Sequence, residues 1–133
     1  MRSIIHPDTD HPRVDFPALY NAAADLLALN QAWPQKVAYV QADTGQTLSY
    51  GDLEQQARRW AQVLQADGFE PEQRVLLAMH DTLEWPVAFL GSILAGVVPI
   101  AVNTLLTTQD FEFMLRDSRA KGLITSCALL PQF

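Results

Sequence analysis

Residues 81–104 read Asp81-Thr82-Leu83-Glu84-Trp85-Pro86-Val87-Ala88-Phe89-Leu90-Gly91-Ser92-Ile93-Leu94-Ala95-Gly96-Val97-Val98-Pro99-Ile100-Ala101-Val102-Asn103-Thr104, and no charge falls between Trp85 and Val102. About 18 apolar residues suffice for a membrane-spanning helix, so that reading is tested first. Local signals oppose it. Asp81 and Glu84 stand at the N-cap and N3 spacing of a capping box, a device that starts a helix in water. Gly96 stands where a C′ residue takes positive φ. The β-branched run from Val97 to Val102 then reads as a strand, with Pro99 near its start as an exposed strand end tolerates. Neither end carries the Arg or Lys that orientation in a bilayer requires. The stretch is expected to form a buried helix followed by a buried strand.

Upstream, Ser49-Tyr50-Gly51-Asp52 has the form of a second capping box and opens a helix to about Asp67. Leu53, Ala57, Trp60, Ala61 and Leu64 give this helix one apolar stripe, and Gly68 closes it. Arg74 to Met79 is a continuous apolar strand, as a strand covered on both faces should be. Before these, Asn21 caps a helix running to about Asn30, with Leu19, Ala23, Leu26, Leu27 and Asn30 as its stripe. Val37-Ala38-Tyr39-Val40 and Thr47-Leu48-Ser49 flank Asp43-Thr44-Gly45 as a β-hairpin. Downstream, Thr107 and Asp110 form a third capping box. Phe111, Met114 and Leu115 are the inner face of that helix, and Arg116, Arg119 and Lys121 lie at its C-terminal end, where the dipole favours cations. Gly122 to Ser126 is one more strand.

Strands alternating with helices make a parallel sheet covered on both sides. The fold class is α/β: a layered, mostly parallel sheet with helices on both faces, preceded by an N-terminal helix and a short β-hairpin. Residues 1–16, with two prolines and mixed charge, are expected to be an extended arm, and residues 17–133 one α/β unit. The chain ends on Leu129-Leu130-Pro131-Gln132-Phe133 where a finished domain usually trails off in polar residues, which reads as a cut end.

The 133 residues carry a net charge of −6 and are 49% apolar. An acidic chain lacks the basic face nucleic acid needs, so no nucleic-acid partner is expected, and no membrane. Cys127 is the only cysteine, which excludes an internal disulfide and fits a reducing compartment. With no signal-peptide pattern at the start, the location is expected to be cytoplasmic.

The side chains offer little chemistry. Asp43-Thr44-Gly45 spells the aspartic-protease tripeptide, but Gln41, Gln46 and Thr47 around it deny the apolar setting that chemistry needs; a hairpin turn explains it. Gly91 and Gly96 have P-loop spacing, yet Val97 and Val98 follow where Lys and Ser/Thr belong. His80 lies just past the carboxyl end of a strand, where open α/β sheets bind ligands, and is read as a loop residue. His6 and His11 lack partners at metal-ligand spacing. Asp81 with Glu84 makes a poor acidic cluster for Mg²⁺. Cys127 is read as a buried small residue, and Trp60, Trp85, Phe89, Phe111 and Phe113 as core aromatics. No catalytic, cofactor-binding or metal-binding residue is assigned.

Taken together, the segments resemble a known family. Leu48-Ser49-Tyr50-Gly51-Asp52-Leu53 is similar to the first core motif of the adenylate-forming enzymes, which include acyl- and aryl-CoA ligases. Leu90-Gly91-Ser92-Ile93-Leu94-Ala95-Gly96-Val97-Val98-Pro99 resembles their second. Asn103-Thr104-Leu105-Leu106-Thr107 and Leu115-Arg116-Asp117-Ser118-Arg119-Ala120 are most similar to the benzoate and hydroxybenzoate branch. The resemblance implies a parent enzyme that activates an aromatic acid with ATP and Mg²⁺ and transfers the acyl group to CoA. The family's glycine-rich Pro-Lys-Gly loop, acidic metal ligand, ribose-binding aspartate and C-terminal lysine do not occur here. Some relatives place a basic residue near the CoA phosphates just before the second-motif glycine, where this chain has Leu94 and Ala95. The resemblance thus implies an N-terminal fragment, inactive alone, whose partner is the remainder of the ligase and whose exposed apolar face invites self-association. A complete small α/β interaction domain is the alternative.

Overall fold

The computed structural model describes residues 4–6 and 13–133, without the side chains of His6 and Arg13. Strands β1 (Ile4–His6) and β2 (Arg13–Asp15) pair antiparallel within the stretch expected to be an arm. Helix α1 (Ala22–Leu29) follows, then β3 (Val37–Val40) and β4 (Thr47–Ser49), an antiparallel hairpin with an irregular register between Val37 and Tyr39. Next come α2 (Tyr50–Ala66), β5 (Arg74–Ala78), α3 (Glu84–Leu94), β6 (Val98–Ala101), α4 (Thr108–Ser118) and β7 (Gly122–Thr125). A 3₁₀ helix, Cys127–Gln132, ends the chain as described.

β5 lies between β6 and β7 in a parallel sheet. Its central place explains its composition, since Val75 to Ala78 are all sealed from solvent. Val75 packs with Ala61, Leu64, Ala95 and Val97 from α2 and the end of α3, whereas Ala78 packs with Phe111 of α4 and Leu129. Three positions apart on a strand means opposite faces, so helices cover both sides of the sheet. A further core joins α1, the hairpin, α2 and α3 through Ala23, Leu27, Leu48, Leu53, Ala57 and Leu90.

Capping follows the sequence in three places. Asn21 accepts the Ala24 N–H, Ser49 accepts the Asp52 N–H, and Thr107 with Asp110 closes a full reciprocal box. At Ser49 the pair is not fully reciprocal: the hydroxyl donates to the Asp52 carboxylate at 2.6 Å. Gly96 (φ +78°) ends α3 as expected. Its N–H reaches Ile93 O and the Val97 N–H reaches Ser92 O, the two bonds of a Schellman motif.

Four expectations are corrected. α3 begins at Glu84, with Leu83 as a cap that offers no side-chain bond, so Asp81 and Glu84 do not form a capping box. Pro86 is the reason. A helix capped at Asp81 would place Pro86 inside the hydrogen-bonded ladder, where it lacks the needed N–H; starting at Glu84 leaves it in the first turn, where that N–H has no role. Leu19 (88% exposed), ahead of α1, and Leu26 (44%), on it, lie off the buried face, whose apolar residues are Ala23 and Leu27 beside a buried Asp25. The strand after Gly96 is an edge, half open to solvent, not a buried strand. Cys127 is exposed at the start of the 3₁₀ helix. No helix among the described residues is long and apolar enough to cross a membrane.

Candidate functional site

Parallel α/β sheets offer their carboxyl edge to ligands, and in this chain three turns meet there. β5 ends into Met79-His80-Asp81, β6 into Val102-Asn103-Thr104, and β7 into Ser126. The His80 N–H donates to Ser126 Oγ at 3.0 Å, tying the turns after β5 and β7 together. Asn103 Oδ1 accepts the Leu105 N–H at 2.9 Å and shapes the turn after β6. A cleft of about 350 Å³ opens between them, lined by Met79, His80, Asp81, Trp85, Ala101, Val102, Asn103 and Thr104. A second cleft, also about 350 Å³, lies between the hairpin (Tyr39 to Ala42) and the start of α3 (Asp81 to Leu83, Trp85 and Pro86). Trp85 walls both clefts, its ring stacked on Phe89 with centroids 5.0 Å apart.

The charges near these clefts are carboxylates. Glu84 is held below the usual carboxylate range by the Thr82 hydroxyl and by its own N–H, an arrangement that keeps it ionised at the positive end of α3. His80 and Asp81 are exposed, and neither side chain is hydrogen-bonded to a hydroxyl or thiol among the described residues. No three His, Cys, Asp or Glu side chains converge among the described residues. His11 and the His6 side chain fall outside them.

The other flagged residues take structural positions. Asp43-Thr44-Gly45 is the hairpin turn, with Gly45 at φ +71° and its N–H on Gln41 O. Trp60 is half-buried against Gly91, and Phe111 is sealed with its ring 4.7 Å from that of Phe133. Phe113 departs from the core reading at 63% exposure. Sequence reasoning missed what Gly91 does. A Cβ there would stand 2.6 Å from Ala57 O and 2.9 Å from Trp60 Cβ, so α2 and α3 meet through a bare backbone at this point. That contact is tertiary, and no local pattern announces it. Gly51 behaves alike: its N–H donates to Pro34 O at 2.8 Å, and a Cβ would lie 3.1 Å from the same oxygen.

Both glycine-bearing segments are thus close-approach devices at fixed places in the fold. A family model described as AMP-binding enzyme matches residues 28–132. The chain belongs to the AMP-binding enzyme family. Benzoate–CoA ligase from Thauera aromatica is 40% identical over 123 residues, which is 92% of this chain and 23% of that one. The 4-hydroxybenzoate–CoA/benzoate–CoA ligase of Rhodopseudomonas palustris is 38% identical, over 84% of this chain and 21% of its own. Among solved structures, a benzoate CoA ligase from Burkholderia xenovorans superposes with a TM-score of 0.82 at 49% identity, covering 86% of this chain and 23% of that one. The chain therefore spans under a quarter of the length of these AMP-binding relatives.

Proposed function

We propose that this chain is the N-terminal α/β part, residues 17–133, of an aryl-CoA ligase. The parent activates a benzoate-type acid with ATP and Mg²⁺ to an acyl adenylate and passes the acyl group to CoA, in the cytoplasm. The observation that carries this reading is the 40% identity to a benzoate–CoA ligase over 92% of the chain. A carboxylate is a poor electrophile, and joining it to AMP supplies a leaving group. Catalysis of that kind rests on positioning and on stabilising phosphate charge.

The described residues do not fit a seat for ATP or Mg²⁺. Gly91 is filled by Ala57 and Trp60, where a phosphate cradle would need open backbone N–H groups, and the carboxylates at the sheet edge are not clustered. No reaction step is therefore routed through this chain. The reacting groups are assigned to the remainder of the parent, its proposed partner, and the 133-residue chain alone is read as non-catalytic.

ATP–pyrophosphate exchange with benzoate tests both halves. The isolated chain is expected to show none, and exchange by it would overturn the scaffold reading. A chimera in which this chain replaces the matching quarter of the Burkholderia ligase is expected to retain benzoate-dependent exchange. A folded chimera without exchange would sink the ligase assignment.

A further inference from the structure

Phe111 is the one residue of α4 sealed from solvent. Each residue turns a helix by about 100°, so Phe113, two positions on, points about 200° away from it and directly off the sheet. There it is 63% exposed. Gln109, Glu112, Arg116 and Asp117 stand beside it at helical spacing, all of them exposed, and with Phe113 they line an open groove of about 480 Å³. An aromatic anchor beside an arginine, ringed by polar side chains, is the composition of an interface. Within one helix Arg116 Nη2 lies 2.7 Å from Glu112 Oε1. An exposed pair of that kind contributes little to the stability of a single chain.

We propose that this face of α4 docks on the same face of a second copy of this chain, the two helices antiparallel about a two-fold axis at Phe113. Charge selects both the occupant and the direction. Antiparallel, Arg116 comes within about 3 Å along the axis of Glu112 of the partner subunit. Each arginine then meets two carboxylates and each glutamate two guanidinium groups. Asp117 comes level with Gln109 of the partner subunit, whose amide can donate to it. A parallel pair would instead set Arg116 beside Arg116 of the partner subunit, with like charges opposed. The two Phe113 rings meet at the axis and keep water from these pairs. The face is complementary to itself, and the contact closes at two copies. One short helix face from each chain makes a small joint, so the dimer is weak and depends on concentration. The inference concerns the chain as it stands and does not depend on the ligase reading.

Sedimentation and residue-resolved amide shifts across a dilution series test it. The mass is expected to rise towards twice that of one chain by about 1 mM, with the shifts centred on Phe113. Phe113→Glu should leave a folded monomer, since Phe111 and not Phe113 holds α4 to the sheet. Exchanging charges locates the axis. Glu112→Arg alone and Arg116→Glu alone should each stay monomeric, because each sets four like charges together, and mixing the two variants should give a heterodimer. If Phe113→Glu fails to fold, the mixing experiment decides alone. A monomer up to about 1 mM would overturn the proposal. So would a dimer that survives Phe113→Glu, or two charge variants that do not associate on mixing.

Discussion

A Cβ on Gly91 would come within 2.6 Å of the main-chain oxygen of Ala57, so the crossing of α3 over α2 admits glycine and nothing larger without movement. The obstacle is backbone and cannot swing aside. Alanine favours a helix interior over glycine by about 1 kcal/mol, but overpacking at a rigid contact costs about 1–3 kcal/mol. Gly91→Ala is therefore expected to lower stability by about 1–2 kcal/mol in urea denaturation. A stabilised variant would mean the two helices do not meet as described.

Gly96 is constrained for a different reason. Its φ is +78°, and a Cβ would find Pro71 at 3.4 Å, an ordinary contact. The demand is conformational: a side chain held in the left-handed region costs about 1–2 kcal/mol, and asparagine bears it better than most. Gly96→Asn should thus be milder than Gly96→Ala, whereas Gly91→Asn should be worse than Gly91→Ala. Measuring the four variants by one denaturation assay checks the pair; the same rank order at both sites would remove the distinction.

Phe111 and Phe113 sit two positions apart on α4 and should respond oppositely to truncation. Phe111 is sealed between Ala78 and Leu129, while Phe113 is 63% exposed. Phe111→Ala is expected to cost about 3–5 kcal/mol and Phe113→Ala under about 0.5 kcal/mol. Equal shifts in the melting transition would contradict the orientation of α4.

What the sequence shows well is whatever a single element decides by itself. The α2 stripe of Leu53, Ala57, Ala61 and Leu64 and the sealed run of β5 follow from periodicity, and they emerge as read. Asn21, Ser49 and Thr107 cap because their oxygens satisfy donors a few residues away. Asp81 with Glu84 has the same spacing, but Pro86 two residues on decides where the ladder can start, and spacing alone does not weigh that. A stripe counts apolar residues, and so it groups Leu19 and Leu26 with Ala23 and Leu27. How narrow a line α1 presents to α3 depends on the partner. The edge position of β6 and the bare crossing at Gly91 are tertiary in the same way. For the site, the four ordered segments from Leu48 to Ala120 carry the family, while the clefts beside Trp85 arise from loops of three strands and a hairpin that no local window joins.

The cap of α4 links stability to acid. Asp110 Oδ2 accepts from the Thr107 hydroxyl at 2.7 Å and from the Thr107 N–H at 3.0 Å. These bonds, the hydroxyl first, hold the Asp110 carboxyl below its ordinary value of 3.8. A carboxyl depressed in the folded state binds fewer protons there than in the unfolded chain. Its contribution is therefore complete above the unfolded value and is lost as pH falls through the lower, folded one. Glu84, depressed by the Thr82 hydroxyl, acts in the same direction. Thr107→Ala should cost about 1 kcal/mol at neutral pH, and that loss should shrink in acid once Asp110 is protonated. Urea midpoints of wild type, Thr107→Ala and Asp110→Asn, followed from about pH 7 to about pH 2, test the coupling. Wild type and Asp110→Asn are expected to differ fully above pH 3.8 and to converge only as pH falls through the lower, folded value of Asp110; a gap that stays constant through the acid range would show that the Asp110 charge does nothing for the helix.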